Sequence, residues 1–192
     1  QLAGLVLPLP IRFRLTVMQD QRAELFEHSL RVSIVAYALA LQLKLSEADR
    51  AALTLAAICH DLGEMHTDPE LLTSGHHISP QERRYIHVHP ITSYVVVHAF
   101  PEFLPATKQA ILQHHERLDG SGYPYGLRKA AISRLAQIIA VADVSDAVLH
   151  RFDLQRLDAL FTLNQCRFDP VVVRALRDLL RSVSNEEHRA VV

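Results

Sequence analysis

Apolar residues in this chain recur every three or four positions and almost nowhere every second one, a spacing that restricts the fold to helices packed on helices. Between about Gln21 and Leu45, the residues Leu25, Val32, Val35, Leu39 and Leu43 share one helical face and mark a core-forming amphipathic helix. Ser46 can cap a second helix with Asp49 in its first turn, running through 51–58 and stopping near Gly63. Ser79-Pro80-Gln81-Glu82 combines a cap, a proline at the first helical position and a glutamate three after the serine, so it predicts a further helix, interrupted near Pro90. Residues 107–116 and 133–149 also read as helices, and Asp169-Pro170 opens the last one. Residues 119–126 cannot be helical, because three glycines and a proline fall within that short stretch. The fold expected is all-α, a single compact bundle of about six to eight helices over residues 21–185. Residues 1–20, with Pro8 and Pro10, read as an N-terminal junction or linker, and 186–192 as a C-terminal tail.

Composition removes other classes. A chain of 192 residues with 49% hydrophobic and 21% charged residues can bury a real core and is not disordered. Twenty Lys+Arg against twenty-one Asp+Glu leave no basic field for a nucleic-acid backbone. Apolar runs such as 95–97 and 138–142 fall far short of the roughly 20 residues that a membrane span needs. The two cysteines, Cys59 and Cys166, make no disulfide framework, and the first ten residues show no signal-peptide pattern, so a cytoplasmic location is expected.

Twelve histidines, with no tryptophan, stand out against this background. Glu24 and His28 are four apart on the first marked helix, stacked about 6 Å along its axis. That spacing serves either a surface Glu–His pair or a grip on one ion or two neighbouring ions. His60 and Asp61 end a nearly continuous apolar run, where unpaired titratable groups cost several kcal/mol and therefore need partners. A divalent metal is one such partner, since a carboxylate can bridge two metals while a neutral imidazole ligates one. His87 and His89 flank Val88, and His114-His115-Glu116 precedes the glycine loop. Asp143 and Asp146 lie three apart on one face of an otherwise apolar helix. His66, His76, His77, His98, His150 and His188 have no carboxylate at ligand spacing and read as structural.

Four elements in order carry a family likeness: His60-Asp61-Leu62-Gly63, then His89-Pro90, then 114–124 (His-His-Glu-Arg-Leu-Asp-Gly-Ser-Gly-Tyr-Pro), then 141–147 (Val-Ala-Asp-Val-Ser-Asp-Ala). The pattern resembles the HD-GYP family, HD-superfamily phosphohydrolases that hydrolyse the bacterial second messenger cyclic di-GMP. Phe168-Asp169-Pro170 resembles the start of the family's last helix. The resemblance implies an HD-domain-like bundle holding two or three divalent metal ions, iron or manganese, on Glu24, His28, His60, Asp61, His89, His114, His115 and Asp143. It implies a metal-dependent phosphodiesterase in which a metal-bound hydroxide attacks a phosphorus of cyclic di-GMP, giving pGpG or GMP. Asp61 and Asp146 are the implied catalytic carboxylates, Asp146 standing behind the ligands or assisting as a base. Arg117 and Arg151 are the implied substrate contacts. Asp119, Gly120, Gly122, Tyr123 and Pro124 form the loop implied as a contact surface for a diguanylate cyclase or another signalling protein, and a sensory or receiver domain is expected upstream.

The sequence departs from that family pattern in three places. Glu64 stands where the family carries a lysine that reaches the substrate phosphate, a second lysine near Ser74 is missing, and the basic stretch after Asp146 is absent. An anion beside a phosphodiester turns attraction into repulsion. The second expectation is therefore a catalytically impaired module that binds metal and signals through ligand or protein contacts.

Overall fold

Side-chain caps start several of the helices. The computed structural model describes residues 7–72 and 77–190; Ser74, His76 and the side chain of His188 lie outside the described residues. The order is α1 (Leu9–Gln21), α2 (Ala23–Gln42), α3 (Glu47–Cys59), α4 (Pro80–Ile86), α5 (His89–His98), α6 (Pro105–Gln113), α7 (Arg134–Leu149), α8 (Leu154–Leu163) and α9 (Pro170–Ala190). Ser46 Oγ accepts from Asp49 N at 3.1 Å at the start of α3, and Ser133 Oγ accepts from Ala136 N at 3.2 Å at the start of α7. At α4 the reciprocal capping box forms, with Ser79 N donating to Glu82 Oε2 at 2.8 Å and Glu82 N to Ser79 Oγ at 3.2 Å. No strand forms among the described residues, and none of their helices is long and apolar enough to cross a membrane.

The core is built around α2, whose Val32, Ala36, Leu39 and Ala40 are fully buried and which packs on both α3 and α7. Each large apolar side chain buried in this way stabilises by about 1.5–3 kcal/mol. α7 is buried on nearly every side from Leu135 to Ala142, yet it also holds Asp143, Ser145 and Asp146 in the interior. Three buried polar groups at the end of an apolar helix locate a site before any chemistry is considered.

One segment differs from the sequence expectation. Much of the stretch read as a junction is α1, which buries Ile11, Leu15 and Met18 against the bundle. Pro8 is the N-cap and Pro10 lies in the first turn, where a missing N–H costs no hydrogen bond. The prolines start the helix. At the other end α9 continues as helix to Ala190, into the stretch read as a tail. Cys59 is buried, Cys166 is exposed, and both are free.

Candidate metal centre

Five helices bring donors to one place. α2 carries His28 near its N-terminus, α3 ends so that His60 caps it and Asp61 follows, and α5 opens with His89. His114 caps the C-terminus of α6 with His115 next, and α7 supplies Asp143 and Asp146. Gly63 lets the turn after Asp61 lie on the start of α5: its N–H donates to Ser93 Oγ at 2.8 Å, and a Cβ there would stand 2.3 Å from the His89 carbonyl oxygen. Gly63→Ala should therefore push His89 off Asp61, costing about 1–3 kcal/mol of stability and weakening metal binding. Chemical denaturation and metal titration of the variant check this.

The imidazoles are oriented by their own helices. Nδ1 of His60, His89 and His114 lies 2.7, 2.9 and 2.6 Å from the carbonyl oxygens of Ala57, Ile86 and Ile111. A carbonyl only accepts, so Nδ1 carries the proton and Nε2 of each neutral ring presents a lone pair. These Nε2 atoms face a carboxylate: His60 lies 3.1 Å from Asp61 Oδ2, and His89 and His114 lie 3.3 and 3.5 Å from Oδ1. Nε2 of His89 and of His114 are 3.2 Å apart. Lone pairs facing lone pairs in a buried site require cations between them, and His60 Nε2 and Asp61 Oδ1 are buried without a hydrogen-bond partner among the described residues.

The donors form two groups, Asp61 with His89, His114 and His115, and His28 with His60 and Asp143, the ligand atoms of each lying within 4.8 Å of one another. Asp61 joins them, because Oδ2 faces His60 and, at 3.7 Å, His28, while Oδ1 faces His89 and His114. Imidazoles and carboxylates converging without a thiolate suit a divalent transition metal in each group. These residues fit two ions.

Behind His28 stands a second layer. His28 Nδ1 lies 2.7 Å from Asp146 Oδ2, on the side of the ring away from Asp143, whose Oδ1 is 3.2 Å from Nε2. Asp146 is gripped by Arg31 through Nε at 2.7 Å and Nη2 at 3.1 Å. Asp146 thus positions His28, and the bidentate arginine positions Asp146. Arg31→Ala should lower metal affinity by about tenfold or more, and Arg31→Lys should recover only part of it because lysine has no planar fork. Calorimetric titration with Mn(II) checks both.

Without metal, protons take the cations' place. Burial pulls each imidazolium down, but at His28 the hydrogen bond to Asp143 and the charges of Asp61 and Asp143 outweigh it and raise the ring to about 9. At His89 burial is likewise outweighed by Asp61, giving about 9, and His60 is raised for the same reason. His114 goes the other way, to about 4, through burial and the neighbouring His60 and His89 charges. Burial would raise Asp61, yet His60 and its neighbours hold it well below the usual carboxylate range. Glu64 is pushed up to about 7 by burial and by Asp61.

Other expected site residues fall elsewhere. Glu24 is exposed on the rim of the adjoining cleft and belongs to neither donor group. Arg117, expected as a substrate contact, has a buried side chain that donates to the carbonyls of His114 and Glu116 at 3.1 and 2.9 Å and lies over the Phe168 ring. Arg151 does line the cleft, together with Arg22 and Arg31, which the sequence reading did not single out. In the glycine loop, Gly120 takes a φ of +80°, and a Cβ on Gly122 would stand 2.4 Å from the His115 carbonyl oxygen. Asp119 Oδ1 accepts from Ser121, and the Tyr123-Pro124 bond is cis. The buried Glu116 carboxylate holds the loop closed by accepting from Tyr125 N at 2.7 Å and Leu127 N at 2.9 Å. No local signal gives Glu116 that task.

Comparison with known proteins places the chain in a family. The HD domain family matches over residues 15–170, and the chain belongs to it. Its likeness within the family is to the HD-GYP type. It is 38% identical over 124 residues to a 3'3'-cGAMP-specific phosphodiesterase of Vibrio cholerae, covering 64% of this chain and 28% of that protein. It is 38% identical over 120 residues to the cyclic di-GMP phosphodiesterase response regulator RpfG of Xanthomonas campestris, covering 62% of this chain and 32% of that protein. The chain thus spans about a third or less of these relatives' lengths. Among solved structures, Bd1817, a HDG"Y"P protein from Bdellovibrio bacteriovorus, superposes with a TM-score of 0.71 at 25% identity, covering 81% of this chain and 52% of that one.

Proposed function

We propose that this domain is a metal-dependent phosphodiesterase acting on a cyclic dinucleotide. The observation that carries the reading is the pair of donor groups joined by Asp61, beside a cleft of about 810 Å³ that His28, Glu64 and Asp146 also line. That volume is within the ordinary range for a small-molecule site. His28, His60 and Asp143 would hold one ion and His89, His114 and His115 the other, with Asp61 between them; iron or manganese suits such donors. When bound, divalent ions of this kind lower the pKa of coordinated water, neutralise phosphate oxygens and orient an in-line displacement. The chain's own part is to fix the imidazoles through backbone carbonyls and Asp146, and to offer Arg22 and Arg151 on the cleft wall to a phosphodiester's negative charge. Within the substrate class we assign cyclic di-GMP, with pGpG or GMP as product; the names of the relatives support the class.

Glu64 favours a second reading. Its carboxylate lines the same cleft, with Oε1 3.7 Å from His89 Nδ1, where the family likeness calls for a cation. In that reading the domain keeps its metals, turns over poorly, and acts by binding a ligand or a protein through the exposed side of the glycine loop, where Tyr125 is 60% exposed. The experiment is turnover of cyclic di-GMP and 3'3'-cGAMP by anaerobically purified protein supplied with Mn(II) or Fe(II), beside Glu64→Lys. Hydrolysis of cyclic di-GMP by the natural chain supports the first reading, and preference for 3'3'-cGAMP corrects the substrate. Bound metal with turnover only in Glu64→Lys supports the second.

A further inference from the structure

We propose that His87, which belongs to neither donor group, is a positioning residue that clamps Tyr123 onto His115 and thereby sets the direction of that metal donor. The inference rests on reading the cluster as a metal centre. The His87 and Tyr123 rings are stacked with centroids 3.8 Å apart and planes within 3°. Tyr123 in turn stacks on His115 at 4.6 Å and 27°, and His115 meets His89 edge-on at 4.8 Å. Three rings therefore run in a column from the end of α4 into the centre.

His115 is the donor that needs such a column. His60, His89 and His114 are each oriented by a backbone carbonyl on Nδ1, and His28 by Asp146. Among the described residues the His115 ring has no such hydrogen bond; its Nδ1 stands 3.9 Å from Asp143 Oδ2, and it packs against the rings of His89, His114 and Tyr123. The loop reaches it from one side, with Tyr123 N–H donating to the His115 carbonyl at 3.2 Å. His87 closes the other face of Tyr123 from a fixed place, since its own N–H donates to Arg83 O at 2.9 Å in the capped helix α4. Removing the outer ring frees Tyr123 to rotate and leaves His115 without a fixed orientation.

The test compares His87→Ala with His87→Phe by competition of bound Mn(II) against a chelator and by the visible absorption of the Co(II)-loaded protein. His87 is only partly buried, so both variants should melt close to the natural chain. The expected result is two ions in the natural chain, one of them bound about tenfold or more weakly in His87→Ala with an altered Co(II) spectrum, and recovery of both readouts in His87→Phe, which keeps a ring. Unchanged affinity in His87→Ala, or equal weakness in His87→Phe, overturns the proposal. Should His87→Ala unfold, Tyr123→Phe against Tyr123→Leu asks the same question, with recovery expected only in the aromatic variant and equal behaviour of the two overturning the proposal. A natural chain that binds no metal overturns the metal reading and this proposal with it, which separates the two failures.

Discussion

Asp61→Ala should empty the centre of metal, abolish hydrolysis and destabilise the metal-free chain. Both donor groups meet at this one carboxylate, Oδ2 turned to His28 and His60 and Oδ1 to His89 and His114. Its loss removes the bridge from each site at once, so turnover should fall by at least about 10³-fold, roughly 4 kcal/mol of transition-state stabilisation. The stability effect has a less familiar sign. Many functional sites gain stability when an acidic residue is removed, because the residue was held there at a cost. Here Asp61 is the counter-charge for the buried His60 and His89 and the partly buried His28, all of which it pulls toward the protonated form. Taking it away leaves uncompensated buried cations, and the metal-free protein should lose about 3–5 kcal/mol. Elemental analysis, dinucleotide hydrolysis and denaturant unfolding of one preparation check all three. A variant that keeps its metal, or a metal-free variant more stable than the natural chain, would sink this description of Asp61.

The second large effect is on pH. In the metal-free chain His28 and His89 have folded-state values of about 9 against an ordinary 6.5. A group raised on folding stabilises fully below its unfolded value and loses that contribution as pH rises through the folded one. Metal-free protein should therefore weaken from about pH 6.5 up to about pH 9, by as much as about 3 kcal/mol for each ring, while below pH 6.5 His114, held down to about 4, works in the opposite direction. Asp61 and Asp143, held below the usual carboxylate range, express the same contacts from the other side and lose their contribution only as the solution becomes strongly acidic. Metal binding displaces those ring protons, so affinity should rise with pH over the window in which metal-free stability falls. Thermal melts at pH 6, 7.5 and 9, with chelator and with excess Mn(II), compare the two trends. A metal-free chain equally stable at pH 6 and 9 would contradict the charge balance described for the centre.

What the sequence showed of this molecule was what is local. The caps at Ser46 and Ser79 each close over three residues, so the starts of α3 and α4 could be read directly. The converging donors were legible for a similar reason: His60-Asp61 and His114-His115 sit at helix ends, and Asp143 interrupts an apolar helix. The sequence was less legible where the decisive partner is distant. Pro8 and Pro10 look like linker residues until the buried Ile11, Leu15 and Met18 show them to be a helix start. Nothing near Arg117 in the sequence shows that its side chain is buried over Phe168, far along the chain. Arg31 meets Asp146 across 115 positions, and His87 meets Tyr123 through the fold alone, so neither role is written near its residue. Arg31 did leave one trace, since it lies three after His28 on the same helix, where a side chain shares the neighbouring surface.

Anomalous diffraction from a crystal of the Mn(II)- or Fe(II)-loaded protein tests the central claim most directly. Two peaks are expected, about 3.5–4 Å apart as in two-metal sites, one within bonding distance of His28, His60 and Asp143, the other of His89, His114 and His115, with an Asp61 oxygen on each. A single peak, peaks remote from Asp61, or no bound metal in protein that remains folded would contradict the account.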